Sequence, residues 1–315
     1  MLLIALTGCR WLGWLPWVGD DAPDLPAHVA LSREALKAIR EDDDLSDLCA
    51  RAAAQTALAH PEAGVAINDI AIAVIDLSRR RGPHLGHHRG FEGIEPGELI
   101  ALPLGVEAMR QRVEGTVTEH QISTLLSQSL VHGDSPAINT LADLLTNTTS
   151  GPTLIGPGLE EFVQGRLLVD RSLQELGLYG ICAAHRIGVP TGRELQLAER
   201  LTPSSNRMTA ADTARLLFLL AAEQMINPHR SGQLLSLMER PLGESTDPIL
   251  SRLPRDLPDR TLIWGLAGWS DGANHAAWLI TFPNGHRIAL AVFVEGGSGD
   301  AALVREAAEA MIRGL

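Results

Sequence analysis

Two apolar stretches frame the chain. Residues 262–294 are rich in apolar and β-branched positions broken by short polar turns. They read as three strands, Leu262–Trp269, Ala276–Phe282 and Arg287–Val294. Ser270–His275 joins the first pair, and Pro283-Asn284-Gly285 joins the second through an Asn-Gly pair that tolerates positive φ. Val304–Ile312 then has the period of an amphipathic helix ending at Gly314. The other stretch, Val65–Leu77, is almost continuously apolar, which predicts an inner strand.

The residues between are mostly helical in pattern. Ser32–Ala59 reads as helix with Ser32 as N-cap, and the run Glu41-Asp42-Asp43-Asp44 as a solvated loop or helix end. A loop after Ile94 leads into a buried helix. Thr118-Glu-His-Gln121 forms a capping box that opens another helix through Leu130. Ser135 with Pro136 predicts an N-cap followed by proline, then a helix over Ala137–Leu145. An irregular loop at 146–158 precedes expected helices at Glu160–Leu176, Arg193–Arg200, Ala210–Gln224 (capped by Thr209) and Ser231–Glu239. Sheet at both ends with helices between predicts an α+β fold. The expected organisation is an N-terminal segment and linker at 1–30, a sheet subdomain from 31–95 and 241–315, and a helical subdomain at 96–240.

Composition narrows the function. The net charge of −12 argues against a nucleic-acid partner, since phosphates need a basic face. Lys37 is the only lysine among 26 basic residues, so chemistry that needs a neutral amine has one candidate. His84, His87 and His88 sit in the basic stretch Arg79–Arg89, expected as a solvated hairpin tip. No carboxylate or cysteine shares that loop, so no metal site is expected there. No P-loop, Gly-x-Ser-x-Gly elbow or His-Glu-x-x-His occurs, and no cofactor is expected. Leu6-Thr7-Gly8-Cys9 resembles a bacterial lipobox, which implies lipidation at Cys9. Trp11, Trp14 and Trp17 follow, residues that favour a membrane–water interface. An extracytoplasmic, lipid-anchored location is the expectation. Cys49 and Cys182 are left open as paired or free.

The order of elements resembles the serine β-lactamase and penicillin-binding-protein superfamily, nearest to class A β-lactamases, over residues 32–315. That resemblance implies a five-stranded antiparallel sheet flanked by N- and C-terminal helices, with an inserted all-helical domain. Pro96-Gly97-Glu98-Leu99-Ile100-Ala101-Leu102-Pro103 is similar to the family's Ser-x-x-Lys segment. Gly133-Asp134-Ser135, followed by Asn139 and Leu141, is similar to its Ser-Asp-Asn segment. Thr209-Ala-Ala-Asp212-Thr-Ala214-Arg-Leu-Leu217 and Asp247-Pro-Ile249…Leu253-Pro254 match two further patterns, and Lys-Thr-Gly falls on Leu266-Ala267-Gly268.

The chemistry implied by the resemblance is a serine attacking a lactam or peptide carbonyl while a lysine takes its proton. Here Glu98 stands at the serine position, Ala101 at the lysine, Gly133 at the second serine, Ser135 at the asparagine and Leu266 at the Lys-Thr-Gly lysine. Only Asp134 and Gly268 are retained. Neither Ser-x-x-Lys nor Tyr-x-Asn exists anywhere in the chain, because Lys37 follows Glu34 at that spacing and the single tyrosine is Tyr179. The expectation is a catalytically inactive scaffold or binding module for an unknown protein or a peptidoglycan-derived ligand, with Glu98, Ser135, Trp269 and Ser270 as binding candidates. The alternative is a hydrolase rewired around Glu98, Ser135 and Ser270. Glu98 itself, opening a helix, is expected to face solvent, with no basic residue placed beside it by the sequence.

Overall fold

The computed structural model describes residues 27–242, 250–255, 257–270, 272–297 and 300–315. The lipidation expectation at Cys9 lies outside them. Helix α1 (Ala27–Lys37) is followed by a two-residue strand β1 (Arg40–Glu41), helix α2 (Asp43–Ala59) and the strands β2 (Ile70–Asp76) and β3 (His84–His88). The helical block comprises α3 (Ala101–Glu114), α4 (Glu119–His132), α5 (Ser135–Thr146), α6 (Pro157–Arg166), α7 (Leu168–Leu176), α8 (Arg193–Arg200), α9 (Ala210–Ala221) and α10 (Pro228–Met238). The short strands β4 (Ile181–Cys182) and β5 (Arg207–Met208) pair inside it. Strand β6 (Glu239–Arg240), strands β7 (Leu262–Ser270), β8 (Ala273–Thr281) and β9 (Arg287–Glu295), and helix α11 (Ala301–Arg313) complete the described chain.

The main sheet runs β1-β3-β2-β9-β8-β7-β6. Its five long strands are antiparallel throughout, as expected. The described sheet nevertheless has seven strands, because two-residue β1 and β6 extend its edges, and β1 joins β3 in parallel. Such short pairings carry too little apolar pattern to be read from sequence. Central β9 pairs over its full length with β8 and along Ile288–Val294 with β2, and that interior run is buried throughout. Alternate side chains feed two apolar layers. Ile70, Ile72, Val74, Trp278, Leu290 and Val292 meet α2 and α11 on one face. Ala71, Ala73, Ile75, Ala291 and Phe293 meet α9 and its neighbours on the other. Full burial of each large side chain contributes roughly 1.5–3 kcal/mol.

Several sequence expectations are corrected here. Ser32 lies inside α1, buried, with its hydroxyl donating to the Gln224 carbonyl at 2.6 Å rather than capping a helix. The residues 32–59 form two helices, because Asp42 breaks the run: its carboxylate caps α2 by accepting from Leu45 N–H at 3.0 Å. His84, His87 and His88 are strand residues of β3, not a hairpin tip, because β2 pairs along the whole of β3 and β1 adds a second partner at His84 and Leu85. Cys49 is a free, buried thiol, pushed up to about 12 by burial.

Candidate functional site

The site is built where the chain passes from β3 into α3. Gly97–Ile100 forms a single 3-10 turn packed beneath the outer end of β7. Two glycines make that contact possible. Gly97 has φ +53°, and a Cβ there would lie 2.3 Å from the Trp269 carbonyl oxygen. A Cβ on Gly268 would lie 2.1 Å from the Pro96 carbonyl oxygen and 2.5 Å from Leu99 N. Backbone therefore touches backbone, and no side chain fits between.

That approach carries Glu98 under the strand. It is 6 % exposed, which corrects the expectation of a solvent-facing carboxylate. A carboxylate at an open helix start would face solvent, but β7 roofs this turn. Both oxygens are engaged: Oε2 accepts from the Trp269 N–H at 2.9 Å and Oε1 from the Ser135 hydroxyl at 2.8 Å. Ser135 is free to do this because it is not the N-cap of α5. Asp134 is, its carboxylate accepting from Ala137 N–H at 3.0 Å, and Ser135 occupies the first helical position. Gly133 closes α4 in the left-handed region at φ +64°.

The remaining motif positions surround this contact. Ala101, the first residue of α3, is fully buried. Leu266 enters the apolar layer on the helical side of the sheet and Ala267 the layer beneath α2 and α11. Ser270 is partly exposed, pairs with Ala273, and makes no hydrogen bond to Glu98 or Ser135 among the described residues. The structure thus joins Glu98, Ser135 and Trp269 and leaves Ser270 outside.

A basic residue that sequence spacing did not bring to Glu98 is Arg252. It is buried, its Nε donates to Asn274 Oδ1 at 3.1 Å, Nη2 donates to the same oxygen, and its guanidinium lies 5.0 Å from the Trp269 ring centre. Burial pulls Arg252 below the usual arginine value, and the charge of Glu98 opposes that shift. Its signal was present in the Asp247…Leu253-Pro254 pattern, which contains Arg252. Beside it, His275 stands opposite Gly268 in the register of β8 with β7. Burial pushes its imidazole down to about 4. It packs on Phe293 with ring centres 4.8 Å apart.

Asn139 braces the far wall, accepting from Ile187 N–H at 2.7 Å and donating to the Ile187 carbonyl at 3.1 Å. The three histidines of β3 lie elsewhere. His84 pairs with Asp42 at 3.0 Å, His87 packs edge-on to Phe91, and His88 faces the Ile67 carbonyl. Among the described residues no group of three or more ligating side chains could hold a metal. An apolar cavity of about 380 Å³ opens beside Phe282, His286 and Ile312. It lies at the other end of β8 and adjoins none of the residues around Glu98.

The family model described as the beta-lactamase enzyme family matches residues 105–315, and the chain belongs to that family. Its structure is similar to a β-lactamase of Sphaerobacter thermophilus, with a TM-score of 0.60 at 15% identity over 84% of this chain and 96% of that one. It is similar to the penicillin G acyl-enzyme of a PBP-A variant, with a TM-score of 0.60 at 16% identity over 87% and 97%. A class A β-lactamase representative from Bacteroides cellulosilyticus gives a TM-score of 0.56 at 14% identity over 86% and 98%. At these identities the likeness is one of fold. No curated protein sequence matches the chain. The described helices include none long and apolar enough to cross a membrane.

Proposed function

We propose that this chain is a non-hydrolytic member of the family, a binding or scaffold module that works outside the cytoplasmic membrane, held there through Cys9 and recognising cell-wall peptide. The observation that carries the reading is the state of Glu98. By the resemblance a carboxylate stands at the position of the family's nucleophile, and both its oxygens accept hydrogen bonds, from Trp269 and Ser135. The single lysine supports it. Lys37 is 71 % exposed on α1 and pairs with Glu34 at 2.7 Å, so it cannot serve as the proton acceptor. Without a serine–lysine pair, the family's own covalent route to acyl transfer is closed.

A second reading draws on the 2.8 Å contact between the Ser135 hydroxyl and Glu98, which has the geometry of a nucleophile and its base. Against it, the backbone donor of Trp269, the group best placed to stabilise an oxyanion, is consumed by Glu98 itself. Incubation of the purified protein with a fluorescent penicillin separates the two. The expected outcome is no covalent label under conditions that label an active penicillin-binding protein. A labelled Ser135 would overturn the non-hydrolytic reading. Saturable, non-covalent binding of a muropeptide supports the ligand class, and absence of binding at millimolar concentration removes it.

A further inference from the structure

We infer that the Trp269 N–H and the Ser135 hydroxyl form a seat for a carboxylate, and that Glu98 fills this seat from within the chain. The seat deepens the non-hydrolytic reading but is tested apart from it. Its two donors come from distant parts of the sequence and address different oxygens of one O–C–O group, at 2.9 and 2.8 Å. Strand pairing leaves the Trp269 donor available. The β6 strand covers β7 only at Ile263 and Trp264, so at Trp269 no further strand lies beyond it among the described residues. Arg252 adds a favourable charge, since its guanidinium and the Glu98 carboxylate attract each other. Leu99 and Leu266 nearby are buried, while Ser135 and Trp269 themselves are partly exposed, and the reduced polarity strengthens each of these contacts. An unfilled seat would leave a part-buried backbone donor without a protein partner, so an occupant stabilises the fold. Glu98 is the right one in charge, shape and tether. An external carbonyl or carboxylate oxygen reaches the same donors only when Glu98 is displaced.

The test removes the tether and returns the group. Glu98→Ala deletes a CH2–COO⁻ fragment, which acetate replaces almost atom for atom. Thermal unfolding of the wild type, Glu98→Ala and Glu98→Gln is followed while sodium acetate replaces sodium chloride at constant ionic strength. In parallel, the Trp269 backbone amide is followed by ¹⁵N NMR. The alanine variant is expected to lose on the order of 5–10 °C in Tm. Acetate is expected to restore at least half of that loss and to move the Trp269 amide of that variant alone. The wild type and the glutamine variant, whose seats stay filled, are expected not to respond. The inference is overturned if acetate acts no more on the alanine variant than on the wild type, or stabilises it without moving the Trp269 amide. Should that variant be unfolded in chloride, recovery of its near-ultraviolet tryptophan signal in acetate is the readout, and no recovery overturns the inference. Penicillin labelling of the wild type would sink the non-hydrolytic reading while leaving this result to stand by itself.

Discussion

Two buried polar seams hold this molecule's helical block in place, and they are built on opposite plans. Under β7, the turn at Gly97 and the strand at Gly268 meet backbone to backbone, with one carboxylate set between two donors. Under the loop that leads from β4 through α8 to β5, side chains do the joining. Arg166, 1 % exposed, donates through Nη2 to Glu194 at 2.5 Å and to Asp143 at 2.6 Å, and Arg186 donates to the other oxygen of Asp143. Asn206 exchanges two hydrogen bonds with the backbone of His185, at 2.9 and 2.8 Å. The first seam leaves no volume to spare, and both oxygens of its carboxylate are satisfied, although Asn274 Nδ2 and His275 Nε2 beside it are buried without a hydrogen-bond partner in the described structure. The second is less completely paired: Arg166 Nε and Nη1, Glu194 Oε2 and Asp170 Oδ2 are buried without a hydrogen-bond partner in the described structure. Close contact makes a seam intolerant of a methyl group, whereas a side-chain network fails by degrees.

The sharpest way to break that contrast is at Gly268. A valine there must displace the Pro96 carbonyl and Leu99 N, both backbone atoms that cannot rotate away. Gly268→Val is expected to lose at least 4–5 kcal/mol, roughly the upper end for a single substitution, or to fail to fold. Urea unfolding measures it, and a loss below about 1 kcal/mol would show that the seam yields. Next in size is Arg166→Met. It removes the cation and leaves Asp143 and Glu194 facing each other with less compensation, at a cost of about 3–5 kcal/mol. Limited proteolysis of the 183–206 loop is expected to accelerate in this variant, while the near-ultraviolet signal of Trp269 stays native.

The two seams were also unequally legible. The first could be found in the chain because its parts are local patterns: Pro96-Gly97-Glu98 before an apolar helix, and Gly268 ending an apolar strand segment. What those patterns could not supply was depth. Glu98 reads as an exposed helix-start residue until β7, about 170 residues later, is laid over it, and Arg252 reaches it by the same fold-back. The long strands were legible because burial on both faces leaves a continuous apolar run. Strand β3 was not, because His-Leu-Gly-His-His offers a single large apolar residue, Leu85, to the core. The helix starts divided the same way. Thr209 caps α9 as its position suggests, its hydroxyl accepting from Asp212 N–H at 3.1 Å. At α5 the adjacent Asp134 competes for the cap and wins, which is what frees Ser135. In the second seam every important bond joins a side chain to a partner 13 or more residues away, and no local spacing encodes that.

A smaller effect tests whether incomplete pairing in the second seam is a standing burden. Burial raises the Asp170 carboxyl to about 7, with Ala183 N–H, 2.6 Å from Oδ1, pulling the other way. Between its unfolded value near 3.8 and about 7 the folded state therefore binds more protons than the unfolded state, so this group makes stability fall as pH rises through that window. Asp170→Asn keeps the acceptor and removes the titration. It is expected to be more stable than the wild type by about 2–4 kcal/mol at pH 8, with the difference shrinking toward zero below pH 4. Urea midpoints across that range measure it, and a difference independent of pH would remove Asp170 as the source.

The least effect belongs to a contact outside both seams, where α2 meets α11 near the surface. His60 Nε2 lies 2.7 Å from Glu306, and that contact, with Glu62 assisting against partial burial, raises the histidine's pKa. A raised value means the folded state holds the proton more tightly, so the stabilisation is fully present below the unfolded histidine value near 6.5 and is lost as pH rises through the folded one. Because Glu306 is about one-third exposed, solvent and salt screen the pair, which holds it to less than about 1 kcal/mol. His60→Gln should therefore cost a little at pH 5 and nothing at pH 9, and raising the salt concentration should shrink the pH 5 difference. A loss at pH 5 as large as that of Arg166→Met would mean that desolvation, on which the contrast between buried and exposed polar contacts rests, is not what separates them.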